Sequence, residues 1–155
     1  MRHHSTISEP ELLSAEEVDR LVVALAVRCR DLPVLLLYLH GSHAKGAQGP
    51  LSDIDLAVLI EPDAARDRER RFEVFLALEE VCCRDDVDFV NMNTAGPIIK
   101  DRVVRSGRLV YARSDTVRIR FEAAAVKEAL DFRHFSETYD RALFRQLREG
   151  RFLGR

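Results

Sequence analysis

Two aspartates, one residue apart, open an apolar stretch: Asp53-Ile54-Asp55-Leu56-Ala57-Val58. In a strand, side chains two apart leave the same face. Both carboxylates then project one way from an otherwise buried segment. At about 7 Å in a low dielectric they repel each other, so a cation is what would hold them together. Mg²⁺ suits the pair, because it takes hard carboxylate oxygens together with substrate phosphates. Asp88 lies in a further apolar run, Val87-Asp88-Phe89-Val90. If that run neighbours the first, three carboxylates converge. Three suit a pair of metal ions ~3.5–4 Å apart that clamp the attacking and leaving oxygens of a phosphoryl transfer. Asp86 shares the face and is the other claimant to the third place. Asp88, farther from the turn, is preferred.

The preceding loop begins Gly41-Ser42-His43-Ala44-Lys45-Gly46. Backbone amides at such a turn point at one spot and favour an anion. Gly41 lets a phosphate approach the backbone, the Ser42 hydroxyl can donate to it, and Lys45 adds charge. An anion cradle facing a dicarboxylate metal site describes nucleoside triphosphate chemistry. His40 and His43 flank the cradle and read as strand-end or loop histidines with satisfied hydrogen bonds. Cys82 and Cys83 end an apolar helix face and read as core packing.

These groups need elements to hold them. Ser14 and Glu17 form a capping-box pattern, and Val18, Leu21, Val22, Leu25 and Ala26 repeat at helical spacing after it. Val34 to Leu39 and Ile54 to Ile60 are apolar runs that read as strands buried on both faces. Ala64 to Cys83 reads as one long helix, Val87 to Val90 as a short strand, and Ala95 to Ser106 as a helix beginning near Pro97 and closed by Gly107. Leu109 to Ala112 follows as an edge strand. Asp115 to Glu149 is helical throughout, as one helix or as two with a bend near Phe132 to Ser136. The fold class expected is α/β (α+β), a small mixed sheet flanked by helices. Residues 1–13 read as a flexible segment, 14–112 as the domain, and 113–155 as a C-terminal helical arm of the same unit, with a surface for the domain or a partner.

The 155 residues match one domain. With 24 basic and 26 acidic residues the net charge is −2, which gives no drive toward nucleic acid or anionic membrane. No run approaches the ~20 apolar residues of a membrane span. Met1 to Pro10 is polar, so no secretion signal is expected. Three cysteines, two adjacent, make no disulfide framework. A cytoplasmic setting is expected.

Gly41-Ser42 followed after ten residues by Asp53-x-Asp55 resembles the signature of the polymerase-β-like nucleotidyltransferases. The wider string, Gly-Ser-x-Ala-Lys-Gly with Ser-Asp-Ile-Asp-Leu-Ala-Val, is similar to the minimal nucleotidyltransferases (MNT proteins). In the tail, Gly107-Arg108-Leu109-Val110-Tyr111, Phe121-Glu122 and Ala129-Leu130-Asp131-Phe132 are similar to the same group. The resemblance implies a polymerase-β-like nucleotidyltransferase fold. It implies an antitoxin that transfers AMP from ATP to a tyrosine of a HEPN ribonuclease toxin. By position, Asp53 and Asp55 would bind two Mg²⁺ ions, Asp88 would complete the metal that activates the acceptor hydroxyl, and Gly41, Ser42 and Lys45 would hold phosphates. Lys45 stands where the family commonly has Arg, which keeps charge and loses bidentate contact. Two other functions stay open. One is an antitoxin that acts by binding alone. The other is a nucleotidyltransferase for a small molecule such as an aminoglycoside antibiotic, for which so short a chain leaves little room.

Overall fold

A computed structural model describes residues 13–41, 53–84 and 86–148. Four strands form one sheet: β1 (Val34–His40), β2 (Ile54–Ile60), β3 (Val87–Asn91) and β4 (Arg108–Ala112). Their order is β3-β2-β1-β4. β1 pairs antiparallel with both β2 and β4, and β2 pairs parallel with β3. A parallel pair needs a crossover, and two helices supply it: α2 (Pro62–Arg66) and α3 (Arg68–Cys82). The others are α1 (Ala15–Cys29), α4 (Pro97–Ser106) and α5 (Asp115–Arg148).

Each helix forms for a local reason. Ser14 closes the expected capping box on α1, its Oγ accepting from the Glu17 amide while Glu17 Oε2 accepts from the Ser14 amide at 2.8 Å. Val18, Val22, Leu25 and Cys29 then make the buried stripe. The single helix expected over Ala64 to Cys83 is two helices. Asp67 is extended, and its side chain accepts from the Glu69 and Arg70 amides, so it stops α2 and starts α3. α3 ends at Cys83, in the left-handed region with φ 52°. Cys82 is buried as expected, while Cys83 is exposed. Burial pushes the Cys29 thiol up to about 12 and the Cys82 thiol up to about 11, so both stay protonated at neutral pH. Asp115 to Arg148 is a single 34-residue helix, which decides between the two readings of the arm.

Helices cover both faces of the sheet. Against one, α1 and α3 pack Leu25, Val74 and Leu78 on Leu37, Leu39, Leu56 and Val58. Against the other, α4 and α5 bring Val103, Val117 and Phe121 onto Leu36, Tyr38 and Ala57. Each fully buried Leu or Val contributes roughly 1.5–3 kcal/mol. None of the helices among the described residues is long and apolar enough to cross a membrane.

Candidate active site

The register of the central strands assembles the candidate groups. His40 pairs with Asp55 across β1 and β2, and Asp55 pairs with Asp88 across β2 and β3. Directly paired residues share a sheet face, so the three form a row across three adjacent strands. Tyr38 precedes His40 by two and Ala57 follows Asp55 by two, and both are buried beneath α4 and α5. The row therefore stands on that face, one step beyond the packed core. Asp53 lies two residues before Asp55 and is exposed, as is Asp88. The neighbouring strands that would bring Asp88 to the pair are in place.

Gly41 follows His40 with φ +72°, a conformation that residues with a Cβ rarely adopt. A Cβ there would lie 2.9 Å from Asp55 Cγ and closer still to Oδ2. The Asp55 carboxylate thus fills the space that glycine leaves, and the turn holds it from one side. Ser42 and Lys45, with His43, lie outside the described residues.

Asp86, the alternative to Asp88, is engaged elsewhere. Arg84 Nε donates to Asp86 Oδ1 at 2.6 Å. Asp86, desolvation and Asp53 in turn bear on the Arg84 guanidinium, with the net effect of raising its pKa. The ion pair braces the chain just ahead of β3, where the Asp86 carbonyl accepts from the Ile54 amide at 2.9 Å. Arg84, which sequence reasoning passed over, so supports the end of the sheet that carries Asp53.

His40 departs from expectation. Its Nε2 is buried and, among the described residues, has no hydrogen-bond partner. Burial lowers its pKa, against the pull of Asp55, so the ring stays neutral at pH 7. A strand-end histidine gives no sign in sequence that it will stand beside a paired carboxylate.

The donor set fits a hard divalent cation. Asp55 and Asp88 are side by side, and Mg²⁺ uses one or two carboxylates with substrate phosphates rather than a full protein cage. Among the described residues, no three His, Cys, Asp or Glu side chains come together as a metal-holding group.

Residues 29–116 match the family model for polymerase beta, nucleotidyltransferase. The protein adenylyltransferase MntA of Shewanella oneidensis is 34% identical over 82 residues, 52% of this chain and 57% of that protein. The chain thus matches little more than half the length of that curated relative. The solved structure of a toxin–antitoxin with AMP-PNP superposes with a TM-score of 0.63 at 23% identity, covering 79% of this chain and 98% of that one. That of the tri-AMPylated Shewanella oneidensis HEPN toxin in complex with MNT antitoxin gives 0.61 at 20% identity, covering 82% and 98%. These two likenesses show a shared fold. The chain belongs to the polymerase beta nucleotidyltransferase family.

Proposed function

We propose that this nucleotidyltransferase-family chain is an antitoxin that transfers AMP from ATP to a tyrosine hydroxyl of a HEPN-domain toxin in the cytoplasm. The carrying observation is the register that sets Asp55 beside Asp88, with Gly41 packed on the Asp55 carboxylate. The named relative is an adenylyltransferase, and the structural neighbours include toxin–antitoxin complexes. Both support this choice of acceptor.

In the reaction, the tyrosine oxygen bonds to the α-phosphorus of ATP, the bond to the pyrophosphate oxygen breaks, and the phenolic proton leaves to solvent. Two Mg²⁺ ions bound by Asp53, Asp55 and Asp88 would supply charge neutralisation and ease ionisation of the acceptor hydroxyl. The chain's own work is positioning. Asp55 is held beside Asp88 with Gly41 packed against it, and Asp53, two residues upstream, would join them. Gly41 and Ser42 would present backbone and hydroxyl donors to the β- and γ-phosphates, with Lys45 adding charge. Burial lowers the His40 pKa, so its ring adds no positive charge beside Asp55.

The test is intact mass spectrometry of the chain and its HEPN partner after incubation with Mg²⁺ and ATP. A gain of one or more AMP units on the partner, absent with Asp53→Asn or Asp55→Asn, is the expected result. A stable complex with no mass gain refutes transfer and leaves neutralisation by binding.

A further inference from the structure

Helix α5 outruns the helix that covers it. At 1.5 Å per residue its 34 residues span about 51 Å. Ala125 and Ala129 are buried, and Val117 and Phe121 pack against the sheet. Continuing along that face at 100° per residue, Phe132, Phe135 and Tyr139 come next. They are 48%, 69% and 60% exposed. The apolar seam thus runs past the body of the domain. The last ties are Lys100 to Glu128 at 3.2 Å and Arg133 to Asp101 at 2.7 Å. Among the described side chains of the overhang, residues 134–141, 144 and 145, no hydrogen bond or ion pair reaches another element.

We propose that this overhang pairs antiparallel with the same segment of a second copy, about a two-fold axis near Thr138. Charge decides both occupant and direction. From 131 to 140 the segment carries Asp131, Glu137 and Asp140 against Arg133, whereas from 141 to 148 it carries Arg141, Arg145 and Arg148. Antiparallel pairing lays the acidic half on the basic half. A parallel pair would set like on like. Asp131 and Arg145 stand equally far from Thr138. They are nearly four helical turns apart and so lie on the same flank of the seam. The two-fold axis brings Asp131 of each copy to Arg145 of the other, as an isologous interface requires.

The seam is large enough to matter. Aromatic side chains offer roughly 150–250 Å² each. At these exposures the three rings and their copies contribute on the order of 700 Å². Flanking stems add to that, against the ~1,000 Å² expected of a specific interface.

The full-length chain alone should sediment as a dimer at tens of micromolar, dissociating in the micromolar range. Phe135→Asp should make it monomeric without changing its helical circular dichroism, because that ring is already exposed. Arg145→Asp should weaken the dimer at least about tenfold, and adding Asp131→Arg should restore it. A monomer at about 100 µM would overturn the proposal, as would a dimer indifferent to Phe135→Asp. So would a seam used only for the HEPN protein, seen as a monomer alone whose complex is lost with Phe135→Asp. None of these readings needs nucleotide or activity, so failure here is distinct from failure of the transfer function.

Discussion

Gly41→Ala separates the geometry of the site from its charge, because no carboxylate is removed. Two costs follow from the structure. The first is conformational: a non-glycine residue at φ +72° costs roughly 1–2 kcal/mol, so the urea midpoint should fall by that amount over the m-value. The second is local. The new Cβ would stand 2.9 Å from Asp55 Cγ, where ordinary contact begins at 3.4 Å, and it would press the oxygen harder. The carboxylate must swing away by on the order of 1 Å, and a misplacement of that size can cost about 10²-fold in rate. AMP transfer to the HEPN partner, followed by intact mass over time at 25 °C, should drop about a hundredfold while the protein remains folded. Gly41→Asn refines the test, since Asn tolerates the left-handed region and still carries a Cβ. It should regain part of the stability and none of the transfer. A folded Gly41→Ala protein that transfers AMP within about twofold of the parent would show that the turn does not fix Asp55, against the estimate above. The reading of the site would then fail with it.

Three further outcomes test the scaffold. Ser14→Ala removes the α1 cap, whose Oγ accepts from the Glu17 amide at 3.3 Å, and should lower stability by about 1 kcal/mol in urea unfolding. Tyr38→Phe removes the buried hydroxyl that donates to Glu122 at 2.9 Å. It should cost about 1–2 kcal/mol with the sheet and α5 intact by circular dichroism. Asp101 carries the pH dependence. Arg105 and Arg133 hold its carboxyl below the ordinary 3.8, so its stabilisation is present above about 3.8 and is lost as pH falls through the lower folded value. Asp101→Asn should be less stable than the parent at pH 7, and the gap should close in acid; a constant gap from pH 7 to pH 3 would refute the ion-pair account.

Much of the fold is written locally. The α1 cap, the two inner strands and the start of α4 at Pro97 each rest on a few adjacent residues. The break at Asp67 was not legible because one side chain bonding two backbone amides competes with helix continuation. Periodicity averages over that competition. The site was legible as a spacing. Asp53-x-Asp55 says that two side chains share a face. Only the parallel pairing of β2 with β3 says that Asp88 joins them, and only the pairing of β1 with β2 says that His40 does. Partnership between strands is a long-range choice, made by the crossover through α2 and α3.

Asp101 shows the same limit from the other side. Nothing in the local sequence of α4 marks it for burial, yet it is 2% exposed because α5 crosses over it and supplies Arg133. A carboxylate buried without partners would be costly; clamped by Arg105 at 2.7 Å and Arg133 at 2.7 Å, it fixes where α5 lies on α4. That has a consequence for the site. His40, Asp55 and Asp88 stand on the sheet face that α4 and α5 cover, just past the end of the cover. Were α5 to settle elsewhere, the Tyr38–Glu122 bond would break and the roof over Leu36, Tyr38 and Ala57 would open. The strand ends that aim the carboxylates would lose their support. The polar tie at Asp101 is therefore part of what positions the acidic row, although it touches none of it.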